Sequence, residues 1–319
     1  MTPHDDPHWP RASAWLARGA GNAASIGTLG ILGVPACRGS ITPGRCDLAP
    51  AAIRQALERF SPYDLRFDCD LEDLGVRDFG TLDAVAALSP GEAKESICDH
   101  VAEALRSTTD LAILGGDNSI TYPGVLGMAQ AAAGGDLARC GVLTLDAHFD
   151  LRDIDAGLTN GNPMRALLAD GVPGANIVQI GILPFANSKE YAAVAREAGI
   201  TFLTADDVHV QGIQTAIRTA LDLLAARAEA IYVDLDLDVL DRSFAPATPG
   251  SRPGGLYPWQ VSWAARECGM EAKVRIMDLV EIDPVKDLAD ATVFSAATCL
   301  LSYAAGVTQR LRSATRIYE

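Results

Sequence analysis

Residues 141–150 read GVLTLDAHFD, and this stretch decides the fold class. Gly141 to Leu145 is a short, mostly apolar run, the pattern of a strand covered on both faces. It then turns abruptly acidic. In an extended chain successive side chains alternate, so Asp146, His148 and Asp150 are expected on one face at the strand's carboxyl end. That end is where open α/β sheets bind their ligands. A second run repeats the design: across Val233-Asp234-Leu235-Asp236-Leu237-Asp238, three carboxylates take one face and three apolar side chains the other.

Working outward, strand and helix patterns alternate along most of the chain. Ile26 to Pro35, Leu111 to Leu114, Ile177 to Ile182 and Ile231 to Val239 read as further buried strands. AAIRQALERF, with Ile53, Leu57 and Phe60 at helical spacing, reads as a helix, as do Met164 to Leu168 and the alanine-rich Ile213 to Ala228. Such alternation predicts βαβ crossovers and one mostly parallel sheet between two helical layers. No repeat, low-complexity segment or linker divides the 319 residues, so a single domain over 1–319 is expected. Residues 1–22, rich in Pro and acids at their start, read as a loose tail.

Composition narrows the function classes. Lys and Arg total 26 against 41 Asp and Glu, a net charge of −15 without a basic stripe, which argues against nucleic acid and anionic membranes as partners. No apolar run of the chain is expected to reach the ~18 residues of a membrane span. The seven cysteines are scattered, odd in number and never spaced C-x-x-C, which suits a reducing, cytoplasmic setting better than a disulfide framework.

Carboxylates converging at buried strand ends repel one another and lose solvation unless protons or cations neutralise them. A pair of divalent metals is the simplest solution, and carboxylates with one imidazole suit Mn²⁺ or a similar oxygen-preferring ion. Either acidic motif alone is also what an exposed strand end looks like; the two together, one with a histidine, favour metal. Two weaker segments join them. Leu114 to Ile120, LGGDNSI, has the form strand, glycine turn, polar cluster, and Met277 to Pro284, MDLVEIDP, reads as a strand with Glu281 near its end.

In this order the four segments resemble the ureohydrolase family of arginase, agmatinase and formimidoylglutamase. The family's Gly-Gly-Asp-His-Ser appears as GGDNS, its Asp-Ala-His-x-Asp as DAHFD, its Asp-x-Asp-x-x-Asp as residues 236–241 and its late glutamate as Glu281. Within the family the chain is most similar to formimidoylglutamases, through SITPGRCDLAPAAIRQAL, NGNPMRALL, VQIGILPFANSKEY and VLDRSFAPATPGSRPGGL. The resemblance implies a three-layer α/β/α arginase-like fold, a homo-oligomer, a small-molecule substrate and two manganese ions bridged by hydroxide. Carried over by position, Asp146 and Asp236 are shared ligands, Asp150 and Asn118 complete one site, and His148 and Asp238 complete the other. Hydroxide would attack the amidine or guanidine carbon, with Asp150 assisting proton transfer and Glu281 holding the cationic nitrogen. Formimidoylglutamate would give glutamate and formamide.

Several positions depart from the family pattern. Asn118 stands where a histidine ligand is usual, and its neutral amide implies looser metal binding at that site. Asn160 replaces a histidine of arginases, which argues against arginase itself and leaves Asn160 as a substrate-binding candidate. Leu183 stands where an arginine is expected, and Asp234, where serine is common, reads as a buried acid in need of a hydrogen-bond donor. Arg152 is a candidate clamp for a substrate carboxylate, since a guanidinium holds one through two parallel hydrogen bonds; the alternative is an ion pair with Asp153 or Asp155. Arg165 is a second candidate clamp that also fits an exposed helical position. Two other readings stay open at this level: an amidinohydrolase releasing urea from a guanidino compound such as guanidinobutyrate or agmatine, and a catalytically silent homologue, motivated by Asn118.

Overall fold

The apolar runs become strands at nearly the expected places. A computed structural model describes residues 6, 8–19 and 26–316. Its strands are β1 (Thr28–Val34), β2 (Tyr63–Asp64), β3 (Cys69–Asp70), β4 (Gly75–Thr81), β5 (Asp110–Gly115), β6 (Cys140–Leu145), β7 (Ile177–Ile182), β8 (Thr201–Thr204), β9 (Ala230–Asp236) and β10 (Val274–Val280). Its helices are α1 (Ala12–Ala17), α2 (Ala49–Ala56), α3 (Pro90–Arg106), α4 (Thr121–Ala132), α5 (Pro163–Ala169), α6 (Lys189–Ala198), α7 (Ala205–Gln211), α8 (Ile213–Ala225), α9 (Pro258–Met270) and α10 (Ala291–Arg316).

Eight strands form one sheet in the order β4-β1-β5-β10-β9-β6-β7-β8, and every pairing in it is parallel. β2 and β3 form a separate antiparallel pair. Along each central strand the side chains alternate between two apolar clusters. Leu29, Ile31, Ala112, Leu114, Leu143 and Leu145 join the cluster that contains α2, α8, α9 and α10 residues. Leu32, Val34, Leu111, Ile113 and Val142 join the cluster that contains α3, α4 and α5 residues. The result is the expected α/β/α arrangement. β10, the last strand, inserts between β5 and β9 in the middle of the sheet.

Three expectations change. The loose tail does not hold for residues 12–17, which form α1: Ala12, Trp15 and Leu16 are buried, and Trp15 Nε1 donates to Leu74 O at 3.0 Å. Residues 1–5, 7 and 20–22 lie outside the described residues. β9 stops at Asp236, short of Val239, because the Asp236 carboxylate accepts from Asp238 N at 2.8 Å and caps a 3-10 turn over Leu237–Val239. Finally, Ala291–Ala314 of α10 is long and apolar enough by composition to cross a membrane. Its most apolar stretch is 67% buried, as befits a core helix packed beneath the sheet.

Candidate active site

Five adjacent strands, β5, β10, β9, β6 and β7, deliver their carboxyl ends to one place. Residues far apart in sequence, from Asn118 to Glu281, thereby meet above the middle of the sheet. A cavity of about 400 Å³ opens there, lined by His148, Asp150, Asp236, Asp238 and Glu281 among others.

The DAHFD segment reaches the cavity by turning, and strand alternation plays no part beyond Leu145. Asp146 Oδ1 accepts from His148 N at 2.6 Å, which bends the chain, and Asp150 adopts a left-handed φ of 52°. The turn is pinned from β7's loop by Asn187, whose Oδ1 accepts from Phe149 N at 2.8 Å and whose Nδ2 donates to Ala147 O at 2.9 Å. Asp238 is set by the turn after β9, and its Oδ1 accepts from Ala147 N at 3.1 Å. As a consequence Asp146, His148 and Asp238 present donor atoms within 4.8 Å of one another. His148 Nδ1 lies 3.0 Å from Asp238 Oδ2 and 3.5 Å from Asp146 Oδ1.

The GGDNS turn follows β5. At Gly116 a Cβ would fall 1.8 Å from Ala36 O, so only glycine allows this backbone approach. Asp117 caps the following 3-10 turn, accepting from Ser119 N. Asn118 is tied to Asp150 and Thr121. Its Nδ2 donates to Asp150 Oδ2 at 2.6 Å and its Oδ1 accepts from Thr121 Oγ1 at 2.6 Å, so the amide turns a donor toward Asp150. Glu281 also has a left-handed φ, 64°, fixed by Glu281 N donating to Gly116 O. Its Oε1 accepts from Asn118 N at 2.8 Å and from Asn160 Nδ2 at 2.9 Å, and this saturated oxygen leaves Oε2 for a ligand.

The candidate clamps separate. Arg152 lines the cavity, and of the two ion pairs weighed for it the structure contains neither. Its stem lies across Gly161, where a Cβ would meet Arg152 Cδ at 2.7 Å. Arg165 does not line the cavity: its Nε donates to Leu151 O, and its guanidinium sits 3.5 Å from Asp153. Arg165 thus takes the ion pair once weighed for Arg152.

Burial and mutual repulsion dominate the electrostatics. Burial, then Asp238, pushes Asp146 up to about 6. Asp150 and Asp236 are raised well above the ordinary carboxylate range by burial and by neighbouring acids. Glu281 is pushed up to about 8 by burial and by Asp117, against the pull of Asn160 and Asn118 N–H. Asp238 differs: burial opposes its ionisation, but His148 and the donors around it hold it low. His148, facing Asp238 and then Asp146, is pushed up to about 12. Against these five acids the chain supplies one imidazole and, further along the lining, Arg152 and Arg252, so bound protons or cations must make up the balance.

Beneath the site, Asp234 is fully buried and no donor reaches either of its oxygens. Asp278, its neighbour across the β9–β10 pairing, is already served by Tyr232 Oη at 2.6 Å and Thr121 Oγ1 at 3.1 Å. Burial, then Asp278, raises Asp234 well above the ordinary carboxylate range. Asn187, Gly250 and Arg252 also belong to the cavity, although sequence reasoning did not single them out. Asn187 stands within VQIGILPFANSKEY, and Gly250 and Arg252 within VLDRSFAPATPGSRPGGL, but nothing local says that they face a ligand.

The model of the arginase family matches residues 28–306. A formimidoylglutamase from Halalkalibacterium halodurans is 35% identical over 285 residues, covering 88% of both chains. One from Bacillus subtilis is 32% identical over 275 residues, covering 85% of this chain and 84% of its own. The crystal structure of formimidoylglutamase from Bacillus subtilis superposes with a TM-score of 0.87 at 29% identity, covering 96% of this chain and 94% of that one. A Trypanosoma cruzi formiminoglutamase solved with Mn²⁺ superposes with a TM-score of 0.84 over 95% of this chain and 99% of its own; at 22% identity that likeness is one of fold.

Proposed function

The chain belongs to the arginase family, and from that premise we propose that it hydrolyses formimidoylglutamate to glutamate and formamide. The observation that carries the reading is the pairing, in one cavity, of a glutamate with one oxygen left open, Glu281, and an arginine without an ion pair among the described residues, Arg152. An amidinium and a carboxylate are what those two groups bind. The relatives that cover more than four fifths of the chain are named for the same reaction.

The donor set fits a metal. Three donors are gathered and buried, Asp150 and Asp236 border the same cavity, and the acids are short of positive charge. Asp146, His148, Asp236 and Asp238 would hold one ion, and an oxygen-rich set with one imidazole suits Mn²⁺. A second ion would take Asp150 and Asn118, which requires the Asn118 amide to turn its oxygen toward Asp150. When bound, such ions supply a Lewis acid and lower the pKa of a coordinated water.

The chain's own residues do the rest. Glu281 Oε2 accepts from the cationic amidine nitrogen and orients the carbon toward the acidic cluster. Asn118 N and Asn160 Nδ2 hold the other Glu281 oxygen and so fix its rotamer. Asp150, held beside Asn118 in the cavity wall, would take the proton that the attacking water gives up and pass it to the leaving amine. Arg152 holds a carboxylate, and Gly161 makes room for its stem.

The test is product analysis with the manganese-loaded full chain. Formamide from formimidoylglutamate, without urea from guanidinobutyrate, agmatine or arginine, is the expected result. Urea from any of these, and no formamide, would make the chain an amidinohydrolase. We further propose a homo-oligomer in the cytoplasm. Support comes from Phe185 and Leu65, large apolar side chains left exposed, and from the seven cysteines, all free thiols.

A further inference from the structure

Resting on the formimidoylglutamate reading, we propose that Arg252 is a second carboxylate anchor, and that with Arg152 it makes the cavity selective for substrates bearing two carboxylates. Arg152 and Arg252 are the two arginines in the cavity lining, one from the loop after β6 and one from the loop after β9. Each lies two residues beyond a group at the acidic cluster. For Arg152 that group is Asp150. For Arg252 it is Gly250, where a Cβ would fall 1.9 Å from Asp238 Oδ2 and 3.0 Å from His148 Cε1. The loop backbone is therefore seated directly on the gathered donors, and two residues of chain keep Arg252 within reach of a substrate held there.

A second arginine shows that Arg252 is not needed to build this loop. Arg242 Nη1 donates to Thr248 O at 2.9 Å and Ser251 Oγ at 3.3 Å, while the buried Ser251 hydroxyl donates to Ala245 O at 3.1 Å. Those ties are internal and complete. Arg252 instead lies exposed, with Nη1 on Gly250 O at 2.6 Å and Ser251 O at 3.1 Å, both in its own loop. These contacts orient the fork and leave Nε and Nη2 uncommitted. Nor does it form an ion pair among the described residues, in a protein with 15 more acids than bases. Charge complementarity gives the fork its ligand. The cavity presents Asp150, Asp236, Asp238 and Glu281, so a dicarboxylate with only one guanidinium partner would leave a negative charge facing acids. Two guanidinium groups match two carboxylates, and a planar fork on a rigid loop is suited to bidentate contact.

The experiment compares wild type, R252A, R252K and R152A on three formimidoyl substrates: that of glutamate, that of 2-aminobutyrate, which lacks the distal carboxylate, and that of 4-aminobutyrate, which lacks the proximal one. R252A is expected to raise KM for formimidoylglutamate about 10- to 100-fold, the effect of losing one charge-assisted contact. The change should fall on KM rather than kcat, and R252K should recover it only in part. One of the two monocarboxylate substrates should show the same KM with wild type and R252A, and the other the same KM with wild type and R152A. A similar loss on all three substrates, or a fall in bound manganese, would make Arg252 a support of the loop and overturn the proposal; so would an unchanged KM. If wild type releases no formamide from any substrate, the formimidoylglutamate reading has failed, and calorimetry with glutamate then judges Arg252 separately. Affinity for glutamate reduced about 10-fold or more in R252A upholds a carboxylate anchor, and equal affinity overturns it.

Discussion

Strand β5 has buried carboxyl chemistry at both ends, and the two ends are balanced in different ways. At its start, Asp110 is fully buried, and Oδ2 accepts from Arg310 Nη2 of α10 at 2.5 Å. Arg275 adds a second positive charge nearby, yet burial still pushes Asp110 up to about 6. Past its end, Asn118 joins five acids that face one imidazole. The chain neutralises the first site with its own arginines and leaves the second short of cations. Burial is comparable, so burial alone does not distinguish a structural acid from a ligand-binding one; the missing counter-charge does.

The contrast can be broken from either side. The largest effect is expected at the carboxyl end. Asp238→Ala removes a member of the gathered cluster, so kcat/KM should fall by more than about 100-fold and bound manganese should drop, as elemental analysis and kinetics would show. At the other end, Arg310→Ala leaves Asp110 buried without its main partner. It should cost about 3–5 kcal/mol of unfolding free energy in urea titration, while manganese content per folded molecule stays the same.

A pH series separates the two ends without mutation. Asp146, at about 6, and Glu281, at about 8, lie above their unfolded values near 4, as do Asp150 and Asp236 in direction. Raised folded pKa values mean that the folded state binds more protons, so the metal-free protein should lose stability as pH rises from about 4 through 8. His148 acts in the same sense: its stabilisation is full below about 6.5 and is lost as pH rises toward 12. Asp110 contributes the same slope between about 4 and 6. Manganese should remove the part due to the cavity and leave the part due to Asp110. Thermal unfolding with and without metal measures both, and identical slopes would contradict the assignment. The smallest effect is expected from Asn118→His, which puts a stronger donor beside Asp150 and should tighten manganese binding about 10-fold. Unchanged affinity would mean that position 118 does not serve a metal.

The sequence was most informative where local pattern and burial agree. Ile177–Ile182 is a strand to the residue; of the residues named from the two motifs, His148, Asp150, Asp236 and Asp238 line the cavity, Asp146 joins His148 and Asp238, and Asp234 stays buried without a partner. It was misleading where a side chain redirects the backbone. Asp236 ends its own strand by capping the next turn, so Asp238 arrives by a route that alternation does not describe. α1 was hidden because a six-residue helix carries little periodic signal, and its stability comes from Trp15 packing against residues about sixty positions away. Asn187 and Arg252 were missed for the same reason: their roles depend on what β7 and β9 place beside β6, and sheet order is not local information.

That sheet order also has a consequence in time. β10 is the last strand of the sheet to leave a ribosome, yet it lies between β5 and β9. Until it is made, the nascent chain holds two separate strand groups, β4-β1-β5 and β9-β6-β7-β8, with Asn118 on one and Asp146, His148, Asp236 and Asp238 on the other. The joining strand brings Glu281 with it, and α10, which supplies Arg310, follows later still. Synthesis of β10 and of Glu281 just after it thus completes the cavity. Nascent chains that stop before residue 281 can gather part of the donor set but lack the group that receives the substrate's cation.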